Sequence, residues 1–195
     1  MLPGNFGADA LAALLCGEEN FSAKLPFTYP KYVNKFAVYD YKPAENQKTM
    51  AGDYNYNAVM DVQWPFGHGL SYTTFAYSNL AVDKAEFKPT DVLTVTVDVT
   101  NTGKVKGKES VLLFSTDMYA TCTPDVRRLR EFAKVDLEPG QTKTVTFTLP
   151  ATELAFVNYF GQWTIEEGDF ALSVGSESVM TRCTETVLYD EPNID

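Results

Sequence analysis

The sequence predicts a mainly β chain: a β-sandwich over residues 76–195, preceded by one helix and a long extended segment over residues 1–75. Three observations carry this. Several runs after residue 90 alternate apolar and polar side chains with period two, as strands with one buried face do. Turn residues (Asn-Thr-Gly, Pro-Gly) fall between those runs at short intervals. Residues 1–75 hold 14 of the 26 aromatic residues but only one stretch of helical character.

That stretch is Asp9 to Leu15 (DALAALL), rich in strong helix formers, with Gly17 as a stop. Cys16 ends the apolar run and is expected in the core. Leu25 to Tyr29 (LPFTY) suggests a short strand among prolines. From Lys31 to Gln63 little is periodic, and the Tyr-, Asn- and Lys-rich composition suggests a long ordered loop packed on something else. A loop of that length is unusual inside a self-sufficient domain, so residues 1–75 read as part of a larger body.

The second part is all strand and turn. Val92 to Val99 (VLTVTVDV) alternates cleanly, and Asn101-Thr102-Gly103 turns the chain. Ser110 to Ser115 (SVLLFS) is more continuously apolar, as a central strand is. Leu129 to Leu137 alternates, Pro139-Gly140 turns, and Thr142 to Leu149 (TKTVTFTL) alternates again. Trp163 to Ile165, Gly168 to Val174 and Thr184 to Leu188 complete about seven strands. Such spacing marks an immunoglobulin-like or fibronectin type III-like Greek-key sandwich. No Cys…Trp…Cys spacing of the antibody type is present, and Trp163 is expected in the core.

Composition narrows the function classes. The net charge is −10, and after Thr144 the only basic residue is Arg182, against nine carboxylates. So acidic a surface repels phosphate backbones, which argues against nucleic acid as a partner. Cys16, Cys122 and Cys183 fit neither a zinc knuckle nor a CxxC motif; three thiols cannot all pair within one chain, and a Cys122–Cys183 bridge stays open. One histidine argues against a histidine-rich metal site. No apolar run approaches the ~20 residues that span a bilayer. Met1 opens no signal-peptide pattern, so an export signal is expected upstream.

Three motifs point to one family. Pro3-Gly4, Asp9-Ala10-Leu11-Ala12, Gly17 and Asn20-Phe21-Ser22-Ala23-Lys24-Leu25-Pro26 resemble the end of the α/β-sandwich domain of family 3 glycoside hydrolases, with Phe21 for the usual Pro and Ala23 for the usual Gly. Trp64-Pro65-Phe66-Gly67-His68-Gly69-Leu70-Ser71-Tyr72-Thr73-Thr74-Phe75 is similar to the signature leading out of that domain. Asn101-Thr102-Gly103, Arg128 to Phe132, Leu137 to Thr142 and Val174-Gly175 resemble the fibronectin type III-like domain that closes many members. The resemblance covers essentially the whole chain and leans toward the β-glucosidase branch.

It implies a retaining hydrolase of terminal β-linked glucosyl residues, which needs two carboxyl groups about 5–5.5 Å apart and no metal or organic cofactor. In the family the nucleophile belongs to the barrel and the acid/base to the α/β-sandwich domain, both before the helix that opens this chain. No residue here is therefore assigned a catalytic role. Glu18, Glu19, Asp53 and Asp61 show no spacing that selects a pair. Tyr39, Tyr41, Tyr54, Asn55 and Tyr56, with Asn57, have stacking and hydrogen-bonding chemistry that suits a sugar; the competing expectation is that they cover the neighbouring domains. His68 is expected to be structural, and Asn20-Phe21-Ser22 matches an N-glycosylation triplet. The resemblance further implies the upstream catalytic domains as partner, oligosaccharide as the parent's substrate, a homodimer contact, and a periplasmic or extracellular setting. The alternative is a stand-alone β-sandwich that binds carbohydrate or protein.

Overall fold

The computed structural model describes residues 4–46 and 59–189. The helix α1 runs Gly7–Cys16 and ends at Gly17, whose φ of 78° is the left-handed cap that glycine adopts most readily. Strand β1 (Tyr29–Pro30) pairs antiparallel with β2 (Val62–Trp64). The sandwich follows, with β3 (Phe75–Val82), β4 (Glu86–Phe87), β5 (Val92–Asn101), β6 (Gly107–Asp117), β7 (Arg128–Leu137) and β8 (Thr142–Pro150). It continues through β9 (Phe156–Val157), β10 (Trp163–Ile165), β11 (Gly168–Val174), β12 (Glu177–Cys183) and β13 (Val187–Tyr189).

One sheet has the order β3-β5-β8, and the other β4-β12-β11-β6-β7. A small sheet, β13-β10-β9, closes one end. Alternation in sequence becomes alternation in burial. On β5, Leu93, Val95, Val97 and Val99 are all fully buried, and Leu149, Phe147 and Val145 of β8 stand opposite the first three. Val111 and Leu113 of β6 with Phe170, Leu172 and Val174 of β11 supply the facing layer. Each such side chain contributes about 1.5–3 kcal/mol by leaving water. Cys183 lies within this core, and all three cysteines are free. No helix among the described residues is long and apolar enough to cross a membrane.

Three expectations need correction, and one strand has no counterpart among them. No residue of α1 is buried, and Cys16 is exposed, because among the described residues none covers the side of the helix that carries it. The expected strand Thr184–Leu188 is a turn followed by β13; the longer strand is β12, whose partner across the hairpin is β11. Strand β3 went unread because Asn79, at φ 55°, interrupts its alternation between Ser78 and Ala81. Trp163 is only half-buried: it packs on the core and also lines a cavity.

Candidate functional site

The segment that precedes the sandwich is fastened to it by the motifs picked out above. Asn101, at the end of β5, is fully buried. Its Nδ2 donates to the carbonyls of Val105 (2.9 Å) and Leu137 (3.0 Å), and its Oδ1 accepts from Thr73 Oγ1 (2.5 Å) and the Gly103 amide (3.0 Å). An asparagine amide offers two donors and two lone pairs, so every capacity is used. The neighbouring glycines are there for room: a Cβ on Gly103 would lie 2.1 Å from Thr73 Oγ1, and one on Gly107 2.6 Å from Thr73 Cγ2. The Ser-Tyr-Thr-Thr-Phe stretch is thereby seated directly on the Asn-Thr-Gly turn.

A second fastening lies one strand away. Gly107, Glu109, Val111 and Leu113 share the inward face of β6, so Glu109 occupies a core-facing position and is nearly buried. Its Oε1 accepts from the Tyr77 hydroxyl (2.5 Å) and from the Lys24 ammonium, with which it forms an ion pair. Burial, and then the hydrogen bond to Glu109, push the Tyr77 hydroxyl well above the usual phenol range. Ser110 Oγ donates to the Ser22 carbonyl (3.3 Å). Asn20 Nδ2 donates to the Lys106 carbonyl (3.0 Å), while its Oδ1 accepts from Ser71 Oγ (3.0 Å) and the Tyr72 amide (2.9 Å). The amide of the glycosylation triplet is thus engaged in hydrogen bonds within the chain.

The residues expected to touch sugar are spread out. Tyr39 stacks on Phe66 with centroids 4.3 Å apart and meets Phe114 edge-on, so one ring face is occupied. The Tyr41 carbonyl accepts from the Val126 amide (2.9 Å), and the side chain is half-buried. Tyr54, Asn55 and Tyr56, like Asp53 and Asn57, lie outside the described residues. His68 lies parallel to Trp64 at 6.4 Å, and its carbonyl accepts from the Leu25 amide (2.8 Å). Glu18 and Glu19 are exposed, and Asp61 pairs with Lys35 at 3.2 Å. Among the described residues, no three His, Cys, Asp or Glu side chains are grouped to hold a metal ion.

Sequence reading missed a cavity of about 360 Å³ at the far end of β6 and β7, lined among others by Asp117, Arg128, Arg130, Phe156 and Trp163. Burial lifts the Asp117 carboxyl to about 6, helped by the charge of Glu166 and opposed by the Tyr119 amide and Arg130. Burial, and then the like charge of Arg128, lower the Arg130 guanidinium to about 10. Because folded Asp117 holds its proton more tightly than the unfolded chain, its contribution is fully present below about pH 4 and lost as pH rises to about 6. Asp117→Asn is expected to remove that fall; comparing urea midpoints of both proteins at pH 4 and pH 7 checks it. A difference that does not change with pH would refute the shift.

Residues 1–72 match the glycosyl hydrolase family 3 C-terminal domain, and residues 109–178 match a fibronectin type III-like domain. A lysosomal β-glucosidase of Dictyostelium discoideum is 40% identical over 91% of this chain and 22% of its own length. A periplasmic β-glucosidase of Salmonella typhimurium is 32% identical over 92% of this chain and 24% of its own length. Among solved structures, a β-glucosidase from Erythrobacter marinus superposes with a TM-score of 0.78 at 32% identity, covering 92% of this chain and 24% of that one. The chain therefore spans about a quarter of the length of the relatives it matches.

Proposed function

The chain belongs to glycoside hydrolase family 3, and from that premise we propose that it is the non-catalytic C-terminal part of a retaining, β-glucosidase-like enzyme. In this reading residues 1–75 complete the α/β-sandwich domain and residues 76–195 form the fibronectin type III-like domain. Together they buttress the upstream domains, which carry nucleophile and acid/base, for hydrolysis of terminal β-linked glucosyl residues in the periplasm or outside the cell. Tyr39, Tyr41, Tyr54, Asn55 and Tyr56 are the side chains here that would reach the oligosaccharide.

The observation that carries the reading is an uncovered apolar surface. Phe6, Leu15, Val33 and Phe36 are 81%, 67%, 92% and 76% exposed, all on the segment matched by the family 3 C-terminal domain. So much apolar area in water marks a face made to be covered, and the upstream domains are the partner that fits it. A stand-alone module would have no such face.

The test is nitrophenol release from an aryl β-glucoside. The 195-residue chain alone is expected to give none, and its mixture with the separately produced upstream domains is expected to turn over. Turnover by the chain alone, abolished by changing one of its own carboxylates, would overturn the reading.

A further inference from the structure

The cavity at the end of β6 and β7 has two unlike linings. Leu154, Phe156 and Trp163 form its apolar lining, while Lys42, Asp117, Asp125, Arg128 and Arg130 form its charged lining, with Asp125 paired to Lys42 (3.1 Å) and Arg128 (3.3 Å). Arg130 is held in place: its Nε donates to Ser115 Oγ (2.7 Å), and its Nη1 donates to the Glu153 carbonyl. No ion pair to a carboxylate engages it among the described residues. A guanidinium carries five N–H donors, so this side chain keeps donors to spare beside the cavity. Asp117 accepts from the Tyr119 amide (3.1 Å) and keeps further lone pairs. Unused donors and unused acceptors therefore face the same space as an indole ring.

A second observation comes from the rim. The loop from Asn158 to Gln162 joins β9 to β10, and its stems, Val157 and Trp163, both line the cavity. The loop is well tied: Asn158 Oδ1 accepts from the amides of Phe160 (2.9 Å) and Gln162 (3.1 Å), and the Asn158 amide donates to the Gln162 carbonyl (2.9 Å). Yet Tyr159 and Phe160 stand 79% and 87% exposed. The hydrogen bonds fix the backbone of a loop that carries two exposed aromatic rings and springs from two residues of the cavity lining, an arrangement that suits a binding platform beside the cavity.

The chemistry of the lining selects the occupant. An anion would meet Asp117, while Lys42 and Arg128 are already answered by Asp125, and a purely apolar ligand would leave the spare donors of Arg130 unmet. A pyranose ring offers what both linings want, with C–H faces for the aromatic side and hydroxyls that donate and accept for the charged side. The cavity volume of about 360 Å³ falls at the small end of ligand sites. We propose that this cavity binds a neutral saccharide, one unit lying against Trp163, Arg130 and Asp117 and the next units crossing Tyr159 and Phe160. The choice of saccharide probes rests on the family reading; the site itself rests on its geometry.

The test measures binding, not turnover, so it fails or succeeds independently of the scaffold reading. Titration of the 195-residue chain with cellotetraose and with laminaritetraose, followed by calorimetry, is expected to give half-saturation by one of them on the order of 1 mM. The joint change Tyr159→Ala and Phe160→Ala is expected to weaken binding about tenfold while leaving the thermal midpoint in place, since both rings are exposed. Arg130→Lys keeps the charge but loses the planar fork and is expected to weaken binding by a similar factor, about tenfold. Should Arg130→Lys unfold the sandwich, the aromatic pair decides alone. No heat up to about 20-fold that concentration, equal affinity in the aromatic variant, or tighter binding of glucuronate than of the glucose oligomers would overturn the proposal.

Discussion

Asn101→Ala is expected to lower the stability of the chain by about 4 kcal/mol, among the larger effects of any single change. Four partners lose their bond at once: two carbonyls, the Thr73 hydroxyl and the Gly103 amide. Each buried polar group left without a partner costs about 1–3 kcal/mol, with relaxation and water entry reducing the sum. Asn101→Asp makes the mechanism specific. It keeps the volume and the Oδ1 acceptor, yet replaces the amide's two donors with an oxygen aimed at the Val105 and Leu137 carbonyls. It is expected to be at least as damaging as alanine above neutral pH, and to recover in part in acid as the carboxyl gains a proton. Urea unfolding of the three proteins at pH 5 and pH 8 measures both effects; an aspartate variant as stable as wild type would exclude the hub role.

Glu109→Ala should be nearly as costly, at about 3 kcal/mol, because it strands the Lys24 ammonium and the Tyr77 hydroxyl at a part-buried site. Lys24→Met should cost less, since Glu109 keeps its bond from Tyr77. The pair Lys24→Met with Glu109→Leu should recover most of the loss, because well-packed apolar groups replace a buried ion pair at little net cost. The distinguishing readout is local. In Glu109→Ala the peptide bond after Lys24 should become an early tryptic site while the sandwich stays resistant. Cleavage there at the wild-type rate would mean that Lys24 and Glu109 do not hold the segment.

The β-sandwich could be read wherever one face of a strand is wet and the other dry. Leu93, Val95, Val97 and Val99 declare themselves by period alone, and the edges of β10 and β11 were placed to the residue. Reading failed where the alternation breaks or the strand is short. Asn79 turns β3 with a positive φ, and β4 and β9 have two residues each, too few to show a period. Cys16 misled for another reason: an apolar helix stripe shows only that something can cover it, and among the described residues nothing does. The fastening residues were half visible. Lys24 sits in the Lys-Leu-Pro turn that was recognised as a motif, and Glu109 is an acid in phase with Val111 and Leu113, a misfit that signals a buried partner. The cavity was not visible at all. Asp117, Arg130 and Trp163 come from three strands, and no local pattern marks residues that meet only after the sheets close.

The Lys24–Glu109 and Ser22–Ser110 contacts join residues 85 and 88 positions apart, which sets a schedule for synthesis. At about 5–20 residues per second a ribosome needs about 4–17 s to make the stretch between them. Through that interval Tyr39 and Phe66, which pack on Phe114 of β6, have no such strand to rest on. A slow codon or a pause within the β6–β7 hairpin would lengthen that wait more than one placed after β8.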